Sequence, residues 1–288
     1  MSKAKILLQL DSDPQPSSFD SVVAIDAGAD QLLRYGGVRP EQVESLVHGA
    51  IFTRGIDDLR STAIFVGGSN VAAGVELLEA VKKTFFGPMR VSVLFDANGA
   101  NTTAAAAVLA AAKHVSLDGA RALVLAGTGP VGQRAARLLA RQGAQVRIAS
   151  RDRARSQKVA DELQARIGGA RFDAVQTSTS DETAKALEDV QIVIAAGAAG
   201  VELLSESSRQ QASALQVAID LNAVPPLGIG GLKVTDKAES RDGVICYGAI
   251  GVGGTKMKIH KAALRRLFEA NDQVLDAEEV YAIGEGLG

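Results

Sequence analysis

Residues 122–150 read as a strand, a glycine turn, a helix and a second strand. Within them G-x-G-x-x-G directly follows an apolar run and directly precedes an amphipathic segment. In such a turn the first glycine permits the bend, the second lets backbone approach a pyrophosphate, and the third lets helix and sheet pack closely. We therefore predict a dinucleotide site that uses the whole turn: Gly127, Thr128, Gly129, Pro130, Val131 and Gly132. A glycine-rich turn without a ligand is the alternative.

The end of the second predicted strand distinguishes between the two nicotinamide dinucleotides. An NAD site usually places Asp or Glu there for the ribose hydroxyls, but this chain has Ser150 and Arg151. A hydroxyl and a guanidinium can bind a 2′-phosphate, and Arg153 and Arg155 add positive charge nearby. We predict NADP as the cofactor and keep NAD as a second one. Two alternatives stay open: the arginines form a solvated helix start, or Asp152 binds a ribose.

Length and composition limit the class of protein. A chain of 288 residues is near the size at which single cores split, so we expect two lobes. The net charge of −2 argues against nucleic acid or an anionic membrane surface as the main partner. The single cysteine, Cys246, cannot form an internal disulfide, so we expect a reducing compartment. Because it lies in an apolar run, we expect its side chain to pack in the core. With no apolar leader or spanning run in sight, we expect a cytoplasmic protein.

Short apolar runs alternate with helical patterns along the chain, which predicts an α/β fold throughout. The strands expected in the first hundred residues are 5–10, 31–35, 50–53, 63–66 and 91–95. A helix is expected over 101–114, with Asn101 and Thr102 as its caps, and another over 255–270. The predicted architecture is two-lobed. A smaller N-terminal α/β lobe over 1–100 is completed by a C-terminal helix within 272–288, and a Rossmann-type doubly wound sheet occupies 101–271.

Polar and glycine clusters follow several predicted strands, where the ligand crevice of an open α/β sheet lies. These clusters are 96–103, Ala196 with Gly197, and 220–228. Turn chemistry alone is the alternative for each of them. The sequence lacks the Cys and His spacing of a metal site, so we predict no metal. His260 lies four residues after Lys256 on one helix face, and we interpret it as a surface or core residue.

Six segments carry a resemblance that covers essentially the whole chain. They are PSSFDSVVAIDAGAD (16–30), STAIFVGG (61–68), FFGPMRVSVLFDANGANTTAAA (85–106), LAGTGPVG (125–132), DLNAVPPLGIGG (220–231) and YGAIGVGGTKMKIHKA (247–262). The chain resembles the NAD(P)-dependent methylene-tetrahydromethanopterin dehydrogenases of methylotrophic bacteria. The resemblance implies reversible hydride transfer from the methylene carbon of a reduced pterin to nicotinamide, giving the methenyl form, in formaldehyde oxidation. It also implies a homo-oligomer, with a trimer as the expected form.

The resemblance places the family's functional lysine at Lys256, directly after Gly253-Gly254-Thr255. Because a nearby ammonium would oppose a cationic product, we expect Lys256 to anchor the pterin rather than to stabilise charge. A solvated lysine is the alternative.

Four further residues are expected at the pterin. Phe19 would stack on the flat ring, Asp20 would accept from its amino-amide edge, and Asn98 and Thr102 would hold polar atoms. A plain core role is the alternative for Phe19.

Beyond the glycine turn, the expected cofactor residues are Ser150, Arg151, Arg155, Ala196, Gly197 and Asn222. Two other functions stay open: a methylene-tetrahydrofolate dehydrogenase with the same plan, and a non-catalytic NADP-sensing protein.

Overall fold

A computed structural model describes residues 3–288 of the chain, and its α-helices and strands alternate apart from one run of three strands over 217–247. In chain order they are β1 (Ile6–Asp11), α1 (Ser18–Asp26), β2 (Gln31–Tyr35), α2 (Pro40–Ile51), β3 (Thr62–Gly67), α3 (Val71–Thr84), β4 (Ser92–Phe95), α4 (Ala100–Ala112), β5 (Arg121–Leu125), α5 (Pro130–Arg141), β6 (Gln145–Ser150), α6 (Arg153–Arg166), β7 (Arg171–Gln176), α7 (Ser180–Ala186), β8 (Ile192–Ala195), α8 (Glu206–Gln211), β9 (Val217–Asp220), β10 (Lys237–Arg241), β11 (Val244–Tyr247), α9 (Ala249–Arg266), β12 (Val274–Leu275) and α10 (Ala277–Glu285).

The chain divides into two compact units. The first comprises Met1–Thr102 with Met257–Gly288, and the second comprises Thr103–Lys256. The expected C-terminal segment of the first unit began at 272, whereas the observed segment begins at Met257. Both boundaries fall inside helices, α4 and α9, and a continuous helical pattern in a sequence gives no sign of such a division.

The sheet of the first unit has the order β12-β4-β3-β1-β2, and all its strands pair in parallel. Every residue of β3 and β4 is buried, as expected for parallel strands that are covered on both faces. From β1 the chain adds β2 on one side and β3 on the other. The topological switch point therefore lies between β1 and β3, and a ligand crevice is expected outside their carboxyl ends.

The sheet of the second unit has the order β10-β11-β9-β8-β5-β6-β7, with only the β10–β11 pairing antiparallel. From β5 the chain adds β6 and β7 on one side, then β8 and β9 on the other. This pattern confirms the Rossmann-type doubly wound prediction. Its switch point lies between β5 and β8.

Three local predictions were wrong. Residues 50–53, expected as a strand, include the end of α2, because a short apolar run does not by itself distinguish strand from helix. Helix α9 starts at Ala249 rather than 255, since its glycines lower the helical propensity of the first turns. The caps expected from Asn101 and Thr102 are also absent, and Asp96 accepts from both of their N–H groups at 2.9 and 3.1 Å.

Candidate active site

The turn between β5 and α5 uses its three glycines for different steric reasons. A Cβ on Gly127 would lie 2.8 Å from the Val124 carbonyl oxygen, and one on Gly132 would lie 2.8 Å from Gly127 Cα. A Cβ on Gly129 would meet nothing closer than 3.4 Å. Helix α5 then begins with Gly129 as N-cap and Pro130 in its first turn. The open side at Gly129 lies beside the N-terminal N–H donors, so these residues fit a pyrophosphate.

Ala196 and Gly197 follow β8, the neighbour of β5 at the switch point. The Ala196 N–H donates to the Leu125 carbonyl oxygen at 3.1 Å. The Ala196 carbonyl oxygen would lie 3.8 Å from a Cβ on Gly129. The structure therefore brings these two predicted cofactor residues next to the glycine turn.

The β6–α6 turn carries the residues expected at the cofactor ribose. Arg151 and Arg155 are exposed. The Ser150 Oγ accepts from the Asp152 N–H at 3.2 Å. The Asp152 carboxylate caps α6 by accepting from the N–H groups of Ala154 and Arg155 at 2.8 and 3.3 Å. Asp152 thus caps the helix through Oδ1, and the two arginines are available to an anion.

Asn222 lies in the loop after β9 and is 5% exposed. Its side chain donates to the Pro226 carbonyl oxygen at 3.1 Å and accepts from the Val224 N–H at 2.9 Å. Next to it, the fully buried Asp220 accepts from the N–H groups of Asn222 and Ile229. Burial raises the pKa of Asp220, and these hydrogen bonds oppose that rise. Asn222 thus shapes the loop at the sheet edge, and its contact with a cofactor stays a prediction.

Phe19 and Asp20 lie in the first turn of α1, close after the carboxyl end of β1. Phe19 is 55% exposed, which argues against a plain core role. The Asp20 N–H donates to the Ser17 Oγ of the N-cap at 3.2 Å. Burial raises the pKa of Asp20, His260 and the Ser17 hydrogen bond lower it, and Asp96 and Asp11 raise it further. An exposed ring and a half-buried carboxyl therefore adjoin each other at this switch point.

Asn98 and Thr102 come from the segment after β4. Asn98 is exposed and has a φ of 53°, and its N–H donates to the Gly68 carbonyl oxygen after β3 at 2.6 Å. Thr102 is fully buried, and its Oγ1 donates to Asp96 at 2.6 Å. Asn98 is therefore placed to meet a ligand, whereas Thr102 holds the Asp96 carboxylate. The predicted contact of Thr102 with the substrate has no such support.

His260 is a residue whose position the sequence interpretation left open. It is 2% exposed, and its ring centroid lies 6.5 Å from that of Phe19, in a stacked arrangement, and 5.8 Å from that of Phe65. His260 thus adjoins both residues expected at the pterin ring, Phe19 and Asp20. The sequence showed only that His260 lies four residues after Lys256 on one helix face.

Helix α9 carries two kinds of glycine in its N-terminal part. A Cβ on Gly251 would collide with the Asp236 carbonyl oxygen, so close packing requires that glycine. Beyond their chain neighbours and the nearby backbone of α9 itself, Gly253 and Gly254 have no heavy atom within 4 Å of the position of a Cβ. The half-buried Lys256 follows them, and Gly253, Lys256 and His260 share one helix face. Packing therefore does not account for the Gly253-Gly254 pair.

Within residues 3–288, His, Cys, Asp and Glu side chains form no group of three that could bind a metal ion. Across the same residues, every helix is too short or too polar to cross a bilayer.

Solved structures share this fold at low sequence identity. Shikimate 5-dehydrogenase from Listeria monocytogenes, in complex with shikimate and NAD, matches with a TM-score of 0.54 and 14% identity over 99% of this chain and 96% of that chain. 5-Ketofructose reductase from Gluconobacter matches with a TM-score of 0.51 and 14% identity over 99% of both chains. Residues 108–227 match the family model of shikimate / quinate 5-dehydrogenase. The fold and the glycine turn thus define a protein of the Rossmann-type, dinucleotide-binding class.

Curated relatives identify the family within this class. "Bifunctional protein MdtA" of Methylorubrum extorquens is 47% identical over 99% of both chains. The NAD(P)-dependent methylenetetrahydromethanopterin dehydrogenase of the same organism is 34% identical over 93% of both chains. Residues 18–98 match the model described as methylene-tetrahydromethanopterin dehydrogenase, N-terminal. The chain belongs to the methylene-tetrahydromethanopterin dehydrogenase family, as its motifs indicated.

Proposed function

We propose that this protein oxidises methylene-tetrahydromethanopterin to the methenyl form with NADP, reversibly and by hydride transfer. The observation that carries the proposal is membership of the family together with an intact glycine turn at the switch point of the second unit. The step belongs to one-carbon metabolism, in formaldehyde oxidation. When bound, the dinucleotide supplies the hydride acceptor.

The reaction makes small demands on acid-base groups. Two ring nitrogens flank the methylene carbon, and their lone pairs stabilise the cation that remains when a hydride with its two electrons departs. No proton needs to leave, so no general base is required. The chain's task is to orient the donor carbon and to exclude other geometries. A site with few titratable groups is adequate for this chemistry.

The residues of the first unit suit a flat, polar ring. The exposed face of Phe19 offers a stacking surface, and the Asp20 carboxylate can accept two N–H donors from an amino-amide edge. Asn98, exposed at the end of β4, can supply a neutral polar contact. We assign pterin binding to these three residues and a supporting role to Thr102, through Asp96.

Lys256 is the residue we assign to pterin anchoring. It shares a helix face with His260, whose ring packs on Phe19. An ammonium close to the reacting carbon would oppose the cationic product, so a position at a remote polar group of the pterin is favoured.

The preference for NADP rests on the β6–α6 turn. Asp152 caps the helix, and the exposed Arg151 and Arg155 can pair with a 2′-phosphate. An acidic ribose ligand, which would repel that phosphate, is absent from the end of β6. NAD would bind the same site more weakly.

The test is reduction of NADP and of NAD by the purified protein with methylene-tetrahydromethanopterin, followed by nicotinamide absorbance. We expect turnover with this pterin and a higher kcat/KM with NADP. NADP binding without any pterin turnover would overturn the dehydrogenase proposal and favour the sensing protein.

A second candidate substrate is methylene-tetrahydrofolate. The word "bifunctional" in the name of the 47% identical relative motivates offering a second one-carbon carrier. The same assay with methylene-tetrahydrofolate ranks the two by kcat/KM, and a preference for folate would replace the main proposal.

We further propose a cytoplasmic homo-oligomer as the working form. The buried single cysteine is compatible with a reducing compartment. Light scattering on the purified protein gives the number of subunits, and a monomeric mass would contradict the oligomer.

A further inference from the structure

We propose that His260 is a positioning residue of the pterin site, which supports the Phe19 ring in its stacking plane and interacts with the neighbouring Asp20 carboxylate. The inference rests on the proposed function and assigns a specific task to a residue outside the expected site.

The geometry places His260 beside Phe19, one of the two residues predicted to contact the pterin ring. Its imidazole is almost fully buried, with the Phe65 ring of β3 at 5.8 Å and the Phe19 ring of α1 at 6.5 Å. Phe19 is exposed, so part of its ring remains available to a ligand while His260 packs against it. A buried ring of fixed position thus supports an exposed ring that would otherwise sample several rotamers.

The electrostatics tie His260 to Asp20. Burial raises the pKa of Asp20, and the carboxylates of Asp96 and Asp11 raise it further. The electrostatic interaction with His260 and the Ser17 hydrogen bond lower it. On α9 itself, Lys261 is paired with Asp26 at 2.9 Å, whereas Lys256 lies one turn away on the His260 face.

An ionised Asp20 is the form that accepts from an amino-amide edge. When pH falls through the Asp20 pKa, the carboxyl takes up a proton and pterin binding weakens. Removing the imidazole charge raises that pKa, so the weakening begins at a higher pH. A residue with only a packing role would not move this profile.

The central variant is His260→Phe, which keeps an aromatic ring between Phe19 and Phe65 and removes the charge. We expect kcat/KM for the pterin to fall by roughly tenfold, the size expected when a charged acceptor loses its ionised form. The acid limb of its pH profile should move to higher pH, while the Kd for NADP stays unchanged. His48→Phe is the matched control, because His48 also packs on a phenylalanine, Phe52 at 5.2 Å, in a helix of the same unit.

A double-mutant cycle with Asp20→Asn isolates the coupling. We expect His260→Phe to have little further effect on pterin kcat/KM when Asp20 is already neutral. Full additivity of the two changes would overturn the inference, and so would a wild-type pH profile for His260→Phe. If His260→Phe fails to fold, the same cycle is run with His260→Gln, which keeps a polar side chain.

The outcomes separate the inference from the function on which it rests. No pterin turnover by the wild-type protein contradicts the proposed function. Wild-type turnover with an unaltered His260→Phe profile contradicts the positioning role alone. Isothermal titration calorimetry of the methenyl pterin with each variant gives the Kd for the pterin without relying on catalysis.

Discussion

At the scale of single residues, three consecutive positions show how local geometry decides function. Ser150 accepts from the Asp152 N–H, Asp152 caps α6, and Arg151 between them extends into solvent. The absence of an acidic strand end was visible in the sequence. The choice between ribose ligand and helix cap for Asp152 was not, because both roles suit an Asp before a helix.

Arg151→Glu should discriminate between the two cofactors. A carboxylate repels the 2′-phosphate, so we expect the Kd for NADP to rise roughly a hundredfold and that for NAD by no more than about threefold. Fluorescence titration with NADPH and NADH measures both. Arg166→Glu, an equal charge change at the other end of α6, is the control and should leave the two Kd values unchanged. Equal losses for both cofactors in Arg151→Glu would remove the 2′-phosphate assignment.

Lys256→Ala should separate anchoring from cofactor binding. Losing a charged hydrogen-bond donor to the pterin is expected to lower kcat/KM by roughly 10- to 100-fold, with NADP affinity almost unchanged. Lys258→Ala removes an exposed lysine two residues further on, pointing to another side of α9, and should behave as wild type. Steady-state kinetics over a range of pterin concentrations measure kcat/KM for each variant. An unchanged kcat/KM in Lys256→Ala would make Lys256 an ordinary surface lysine.

At the scale of elements, helix α9 contains glycines that lower its helical propensity. Glycine costs about 0.8–1.0 kcal/mol relative to alanine in a helix interior, and Gly253 and Gly254 pay that cost without any neighbour that requires them. This composition also explains why the first turns of α9 were missed, whereas α5 and α10 were found. Pro130 starts α5, and the Asp276 N–H donates to Glu279 at the start of α10.

Gly253→Ala should stabilise the protein and impair the enzyme. Without a clash, the added methyl is expected to raise the free energy of unfolding by about 0.5–1 kcal/mol. It would also occupy the helix face shared with Lys256, so kcat/KM for the pterin should fall. Thermal unfolding and steady-state kinetics are measured on the same preparations.

Gly254→Ala is the control for Gly253→Ala, because it brings the same gain in propensity about 100° around the helix, off the Lys256 face. If both variants lose activity equally, stiffening of α9 is the cause. The proposal that the helix face of Gly253 and Lys256 lies at the pterin would then be wrong.

At the scale of the whole molecule, two open sheets each have a switch point, and the predicted site residues cluster at both. The turn of Gly127 and Gly129 lies at β5 and β8, and Phe19 and Asp20 follow β1. Periodicity and glycine spacing were sufficient to predict the α/β class and the dinucleotide turn. They were insufficient for contacts made by distant segments, such as that of His260 with Phe19. A linear pattern carries no signal for such pairings.

Phe19→Ala should affect only the pterin. The ring is exposed, so unfolding free energy should stay within about 0.5 kcal/mol of wild type. Losing the stacking surface is expected to raise the pterin KM roughly three- to tenfold, with the Kd for NADP unchanged. Val22→Ala, which truncates another exposed apolar residue of α1, is the matched control. A changed NADP affinity in Phe19→Ala would place the ring at the cofactor instead.

Combining changes from the two units tests whether their sites act independently. Phe19 packs on His260 in the first unit, while Arg151 belongs to the β6–α6 turn of the second. Since additivity holds for groups without shared partners, the Phe19→Ala and Arg151→Glu losses in kcat/KM should multiply. The His260→Phe and Asp20→Asn losses should not, because those two side chains interact within one unit. If the kcat/KM losses multiply for Phe19→Ala with Arg151→Glu, but not for His260→Phe with Asp20→Asn, the two units carry separate binding sites. Coupling between Phe19 and Arg151 would contradict that division.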